Sequence, residues 1–537
     1  MKEKELRELM GELSLEEKVM QLVQLPGQAY MTDVTITGAV QENADERMKY
    51  LAGATLSVGG AEKVRKIQEQ YMARHPHHIP LLFMMDVIHG YRTIFPCPLG
   101  QGATFDPELS RAAAAVQAKE ARADGIQVTF SPMADLVRDA RWGRVMESPG
   151  EDPYLNSRMT EAMVKGYQGE DIKVNVASCV KHFAAYGGAQ AGRDYTNVEL
   201  SEHTLRNQYL PAYEAGIKAG ARLVMTSFNT WNGLPATANP YLMKDILRGE
   251  MGFDGVLISD WGAVGELEVH GVAEDLKEAA ILAMEAGVDM DMCSGSYMHH
   301  LLSLVEEGHI SIECLDAAVW RILKLKNDLG LFEDPFHGAA SSDEEAEGVF
   351  LSKESRELAR RAVAESVVLL ENAGDLLPLS KDQRIGLLGP YAMSQELNSF
   401  WAFTGHTEDC VSLYEGANEE GYTVRAAKGA LMVPNGTVLG TEVFETKENE
   451  SDLLSEAMEV ADWADTLVLC LGEPKGYSGE STSRTSLCIP KGQMELLSRA
   501  KKTGKKVVTL LFSGRPLVVG EIKELSDALL ACFLPGT

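Results

Sequence analysis

The sequence predicts an α/β protein: a (β/α)8-like TIM barrel followed by an α/β sandwich domain with a mostly parallel sheet. Three observations carry this. At 537 residues the chain exceeds what one hydrophobic core of ~250–300 residues accommodates. Over roughly the first 330 positions, short apolar runs ending in polar residues alternate with helix-like stretches, the pattern of parallel βαβ units. A second and shorter α/β series then begins after an acidic stretch. The implied division is a barrel over 1–335, a linker over 336–352 and a sandwich over 353–537.

The elements follow in order. Ser14-Leu-Glu-Glu17 has the form of a capping box, and it opens an amphipathic helix expected to run through Leu25 and to stop at Pro26-Gly27. Strands are expected at Leu81–Asp86, Ile126–Ser131, Val176–His182, Leu223–Ser227, Gly255–Asp260 and Gly287–Asp291. These are six of the eight that a closed barrel needs, so two are irregular or escape the pattern. Helices fill the intervals at Pro107–Ala123, Glu202–Ala219, Tyr241–Met251 and Asp275–Ala286, with a last barrel helix over Ile312–Asp328. In the second series, strands are expected at Ser366–Leu370, Ile385–Leu388, Thr423–Ala427, Thr466–Leu471, Val507–Phe512 and Ala528–Phe533. Helices Leu453–Ala464 and Met494–Lys502 lie between them. The chain stops at Leu534-Pro-Gly-Thr537 with no closing helix, which suggests that the second domain is incomplete.

Composition narrows the function. With 45% apolar and 24% charged residues, the chain has the make-up of an ordinary soluble domain protein. A net charge of −29, from 79 acidic against 50 basic residues, argues against a phosphate-backbone partner and is compatible with a neutral ligand. No run approaches the ~20 apolar residues of a membrane span, and Met1–Met10 is not a signal sequence. The eight scattered cysteines show no paired spacing and suit a reducing, cytoplasmic setting.

In a parallel barrel the polar residues at strand carboxyl ends gather at one mouth. Here they are Asp86, Asp135 with Arg138 and Asp139, Arg144, Lys181-His182, Asn229, Asp260-Trp261 and Asp291. Carboxylates accept from sugar hydroxyls, Arg and Lys donate to them, and an indole offers a flat apolar partner. Taken alone, each has a structural alternative: Asp260 as a helix N-cap, Lys181-His182 as a rim salt bridge and a core histidine, Asp86 as a partner for Arg92. Arg74-His-Pro-His-His78 reads as a solvated loop rather than a metal site, and Gly59-Gly60 is only a weak phosphate-loop match. After the strand Thr466–Leu471, the polar loop Gly472–Arg484 carries Glu473 and Glu480, and it reads either as a surface loop or as an arm reaching the barrel mouth.

Three segments resemble glycoside hydrolase family 3. They are Arg141-Trp-Gly-Arg144 with Glu-Ser-Pro-Gly-Glu-Asp-Pro-Tyr154; Lys181-His182-Phe183; and Gly252-Phe-Asp-Gly-Val-Leu-Ile-Ser-Asp260-Trp261. Asp86-Val-Ile-His-Gly90, Asn232-Gly-Leu-Pro-Ala236 and Ser478-Gly-Glu480 support the match, and the motifs follow the family's order along essentially the whole chain. The resemblance implies an active site between the two domains. It makes Asp260 the nucleophile, Asp86, Arg144, Lys181 and His182 glycone-binding residues, and Trp261 an aromatic on the leaving-group side. Glu480 is implied as general acid/base, with Glu473 as competitor. Phe228 stands where many members have a tyrosine, so one hydroxyl near the nucleophile is expected to be absent. Lys181-His-Phe-Ala-Ala-Tyr186 lacks the Pro-Gly-His continuation of the family's N-acetylglucosaminidases, which argues against that activity.

The implied reaction is retaining, exo-acting hydrolysis of terminal β-D-glucosyl residues from β-glucosides and short oligosaccharides, with carboxyls roughly 5–5.5 Å apart. Arg144 and Lys181 are expected to hold Asp260 ionised. No metal or organic cofactor is required. The partner is a β-glucoside, with no nucleic acid and no membrane, and self-association is compatible. The alternatives are β-xylosidase or arabinosidase activity in the same family, or a catalytically silent sugar-binding protein.

Overall fold

The computed structural model describes residues 1–31, 44–439 and 442–537. Eight parallel strands form the first sheet: β1 Val23–Pro26, β2 Ala54–Leu56, β3 Leu82–Met85, β4 Val128–Thr129, β5 Ala177–Phe183, β6 Leu223–Thr226, β7 Val256–Ile258 and β8 Asp291–Met292. Each pairs with its neighbour in chain order, β8 returns to β1, and a parallel bridge between Ile258 and Met290 closes the ring. The strands are buried on both faces, as expected of a barrel wrapped by helices, and their sequences are mostly apolar rather than alternating, with polar residues gathered toward their carboxyl ends.

The two strands that the apolar pattern missed are β1 and β2. The Ser14 box is present, with the Ser14 N–H donating to Glu17 Oε2 at 2.7 Å. The helix it opens ends at Gln21, however, not at Leu25. Val23, Gln24, Leu25 and Pro26 instead pair in parallel with β8 on one side and β2 on the other. A run such as VMQLVQL fits a buried helix or a buried strand equally well, and the pairing that closes the barrel decides between them. Gly53 shows how tightly that turn packs, since a Cβ there would lie 2.0 Å from the Gln21 carbonyl oxygen.

Residues 336–352 are strapped to the barrel rather than free. Arg65 donates from Nε to the Ala340 carbonyl at 2.6 Å, and the short helix Asp343–Glu347 buries Ala346 against Ala61. The second domain is a six-stranded sheet in the order β9–β14–β13–β12–β10–β11. Its strands are β9 Val368–Asn372, β10 Arg384–Leu388, β11 Thr423–Ala427, β12 Thr466–Gly472, β13 Lys506–Phe512 and β14 Ala528–Ala531. Only β9 runs antiparallel, pairing with β14. Along β12 the side chains alternate between two cores: Leu467, Leu469 and Leu471 face helices Glu450–Trp463 and Lys491–Lys502, while Val468 and Cys470 face Tyr391 and Phe512. Among the described residues, no helix is long and apolar enough to cross a membrane.

Of the cysteines, Cys97, Cys179, Cys410, Cys470 and Cys532 are buried and Cys488 is exposed, all as free thiols. The Arg74–His78 stretch is not uniformly solvated. His75 is buried with its ring 5.6 Å from that of Tyr71, and of the three histidines only His78 is exposed. Gly60 and Ala61 N–H groups at the start of helix Ala61–Arg74 donate to Asp124 at 2.9 and 3.2 Å, so a carboxylate occupies the position that a phosphate would need.

Candidate active site

The strand carboxyl ends bring Asp86, Lys181, His182 and Asp260 to one mouth, and the loop after β4 adds Arg144. Lys181 Nζ donates to Asp86 Oδ1 at 2.7 Å, and both are largely buried. Burial alone would discharge this lysine, but Asp86, Glu147 and Asp260 outweigh it and raise its pKa. Arg144 is held in a fork by Glu147, at 2.8 Å from Nε and 3.0 Å from Nη2. Its Nη2 also donates to His182 Nε2 at 3.0 Å. His182 therefore carries its proton on Nδ1, which donates to Asp135 Oδ2 at 2.8 Å. Burial, followed by the charges of Arg144 and Lys181, keeps this imidazole neutral.

Asp135 is a correction to the strand-end reading, because it does not face the mouth. It is fully buried behind His182, accepting from the His182 N–H at 2.9 Å and from Tyr213 Oη at 2.5 Å, and burial pushes it up to about 7. Asp139 is occupied by its own neighbour Arg141, and Asp291 accepts from Ser294 Oγ at 2.7 Å.

Asp260 follows β7. Its Oδ1 accepts from the Trp261 N–H at 2.7 Å, while its buried Oδ2 has no hydrogen-bond partner and lies 3.5 Å from His182 Nε2. Phe228, which carries no hydroxyl, sits in the apolar cluster with Trp261, Ala263 and Tyr186 beside it. Glu480 arrives from the second domain on the loop after β12, with its Oε1 3.6 Å from Arg144 Nη1. That Nη1 is also a buried polar atom without a hydrogen-bond partner.

The two carboxyls thus share one guanidinium. Both are shifted upward, first by burial; Asp260 feels the charge of Glu480 next, with Arg144 and Lys181 opposing. Arg144 and Lys181 oppose this shift, as expected, but burial and the charge of Glu480 outweigh them and hold the Asp260 carboxyl well above the ordinary carboxylate value.

Glu473, the competitor, is buried 7 residues away in a different setting. Its carboxylate pairs with Arg515 Nε at 3.2 Å and accepts from Ser513 Oγ at 3.2 Å. Arg515 in turn donates to the carbonyls of Ala140, Trp142 and Tyr477, tying the loop before Arg144 to the loop before Glu480.

The loop carrying Glu480 runs along the Arg141–Gly143 segment as an added strand. Gly479 N–H donates to Gly143 O at 2.7 Å, Gly143 N–H to Thr482 O at 2.9 Å, and Arg484 N–H to Arg141 O at 2.9 Å. A second loop of the same domain delivers Trp401, a residue the sequence reading did not single out. Its ring lies 5.1 Å from Lys181 Nζ and 5.8 Å from the Arg144 guanidinium, and its buried Nε1 has no hydrogen-bond partner. His89 anchors that loop through Ser399 Oγ at 2.8 Å and the Phe400 carbonyl at 2.9 Å. The signal available in sequence was the aromatic cluster Phe400-Trp401-Ala-Phe403 in an otherwise polar connection. Among the described residues, no group of His, Cys, Asp and Glu is placed to hold a metal ion.

The profile described as "Glycosyl hydrolase family 3 N terminal domain" matches residues 14–325, and that of the "Glycosyl hydrolase family 3 C-terminal domain" matches residues 367–537. A periplasmic beta-glucosidase of Salmonella typhimurium is 39% identical over 502 residues, covering 90% of this chain and 65% of that protein. A beta-xylosidase of Formosa agariphila is 33% identical over 544 residues, covering 95% of this chain and 73% of its own. The beta-glucosidase of Listeria innocua, solved with isofagomine, superposes over 100% of this chain and 73% of its own with a TM-score of 0.92 and 46% identity. This chain thus spans about two thirds to three quarters of the length of these relatives. With both domains matched in order and the fold shared throughout, the chain belongs to glycosyl hydrolase family 3.

Proposed function

We propose that the protein is a retaining, exo-acting β-glucosidase in which Asp260 is the nucleophile and Glu480 the general acid/base. The observation that carries this reading is the pair itself: the buried Asp260 carboxyl of the barrel and the half-buried Glu480 carboxyl of the second domain both lie in the field of the Arg144 guanidinium, with Asp260 Oδ2 and Arg144 Nη1 unpartnered. Asp86, Lys181, Arg144 and His182 offer alternating acceptors and donors to sugar hydroxyls, and Trp261 and Phe228 form apolar walls beside them. The beta-glucosidases of Salmonella and Listeria support glucose as the sugar.

In this mechanism Asp260 attacks the anomeric carbon while Glu480 protonates the leaving oxygen, and Glu480 then takes a proton from the water that releases the sugar. Asp260 must be ionised and Glu480 protonated at the moment of attack. A sugar hydroxyl donating to Asp260 Oδ2 favours the ionised form of that residue. A xylosyl substrate is the second reading, favoured by the Formosa beta-xylosidase.

The test is a panel of nitrophenyl glycosides. The β-glucoside is expected to be turned over faster than the β-xyloside, and Asp260→Asn is expected to remove at least ~10³-fold of kcat. Near-wild-type turnover by Asp260→Asn would sink the nucleophile assignment, and faster xyloside cleavage would transfer the reading to a β-xylosidase.

A further inference from the structure

Glu480 belongs to the second domain, yet the atoms that hold its carboxyl are contributed largely by the barrel. Tyr195 Oη donates to Glu480 Oε1 at 2.7 Å and meets Ser481 Oγ at 2.9 Å. The residue before it, Asp194, accepts the Ser481 N–H on Oδ2 at 2.7 Å, and its own N–H donates to Ser483 Oγ at 3.3 Å. Asp194 Oδ1 meanwhile accepts from Trp142 Nε1 at 2.8 Å and from Tyr186 Oη at 2.5 Å. One barrel carboxylate thereby joins the segment that leads into Arg144, the loop after β5 and the loop that carries Glu480.

The backbone on both sides of this contact is unusual. Tyr195 and Ser481 are non-glycine residues in the left-handed region, at φ 57° and 60°, and they face each other. Such conformations persist where the surroundings over-determine them, commonly at sites that fix a functional group. The Tyr195 ring is partly exposed and stands edge-on to Phe228, with centroids 5.1 Å apart and planes at 88°, so the apolar wall beside Asp260 also sets where the hydroxyl points.

We propose that Tyr195 and Asp194 are positioning residues for the acid/base, holding Glu480 Oε1 so that Oε2 is the oxygen that meets the leaving group. This rests on the assignment of Glu480 above. Tyr195 fixes the carboxyl, Asp194 fixes the backbone one residue on, and the proton donor is assembled only when the second domain is docked on this loop. Arg144, Glu147, Asp194, Asp260 and Glu266 are charged groups facing Glu480, and Tyr195 is the neutral donor among them.

The experiment compares kcat/KM for two β-glucosides in the protein and its variants. A 2,4-dinitrophenyl β-glucoside leaves without proton transfer, whereas an alkyl β-glucoside requires it. Because kcat/KM reports the first chemical step, it isolates the acid role. Tyr195→Phe keeps the ring and its contact with Phe228 and is expected to lose roughly tenfold to a hundredfold on the alkyl glucoside, a part of what general acid catalysis supplies. On the dinitrophenyl glucoside it is expected to stay within about threefold of the parent, with unchanged thermal stability. Asp194→Asn, which removes one strong acceptor from the junction, is expected to show the same selectivity. Equal losses on both substrates, or full activity on the alkyl glucoside, would overturn the proposal. Glu480→Gln serves as reference: if it shows no leaving-group selectivity, the acid/base assignment itself fails. If it does and Tyr195→Phe does not, only the positioning role fails.

Discussion

Replacing Gly143 by alanine places a methyl in the seam between the domains, and its consequence can be worked from the structure. The added Cβ would lie 1.8 Å from Thr482 Oγ1, 2.2 Å from the Gly479 carbonyl oxygen and 2.5 Å from the Thr482 carbonyl oxygen. The threonine hydroxyl can rotate away, but the two carbonyls are backbone. Restoring a contact of ~3 Å requires the Gly479–Thr482 segment to retreat by about 1 Å. Gly479 immediately precedes Glu480, so the acid moves with it, and the bonds between Gly143 and both Gly479 and Thr482 stretch together. A misplacement of about 1 Å in a catalytic group costs on the order of 10²-fold, which corresponds to about 2.7 kcal/mol of transition-state stabilisation. Gly143 is buried in the seam, so overpacking there is expected to cost about 1–3 kcal/mol of stability, too little to unfold the protein at assay temperature. The assay is kcat/KM on an alkyl β-glucoside, with a thermal melt of the same preparation. The reasoning is refuted if Gly143→Ala retains more than about a third of the parent kcat/KM, or if it loses activity only in proportion to a collapse in melting temperature.

Two further outcomes concern buried ionisable groups away from the mouth. Burial lowers His75 to about 3, so the folded state keeps it neutral while the unfolded chain protonates it below its ordinary value near 6.5. Stability contributed by this group is therefore present above about 6.5 and lost as pH falls toward 3, at up to ~1.4 kcal/mol per pH unit. His75→Gln is expected to flatten the fall of melting temperature between pH 6.5 and 4, and an unchanged slope would count against it. Lys326 is fully buried, donates to Gln21 Oε1 at 2.7 Å and has its pKa lowered well below the ordinary lysine value by burial. Its burial cost is felt below the unfolded pKa and fades as pH rises toward ~10.5. Lys326→Met is expected to raise stability at pH 7 by about 1–2 kcal/mol after the loss of the Gln21 bond, with the gain shrinking at pH 10. A destabilised variant at pH 7 would show that the lysine contributes more than it costs.

The sequence by itself determined the α/β class, the order of its elements and the residues at the strand ends of the mouth. Apolar runs with polar carboxyl ends are a local signal, and in a parallel barrel that signal points to the site. Asp86, Lys181, His182 and Asp260 are legible in this way, and the fold brings all four to the mouth. The capping box at Ser14 was legible for the same reason, since its partners lie three residues apart.

What only the tertiary structure decided were choices made by distant residues. Val23–Pro26 is a strand because Asp291 and Ala54, remote in sequence, offer it hydrogen-bonding partners. Asp135 lies behind the site rather than in it because His182 and Tyr213 occupy its oxygens. Of the two carboxylates in one loop, Arg515 takes Glu473 into the second domain's interior, while Tyr195 and Arg144 meet Glu480 at the mouth. Trp401, Asp194 and Tyr195 carry no periodicity or spacing that marks them. Their significance comes from contacts spanning some 200 to 290 residues of chain, and a linear sequence does not record which loops meet across a domain seam.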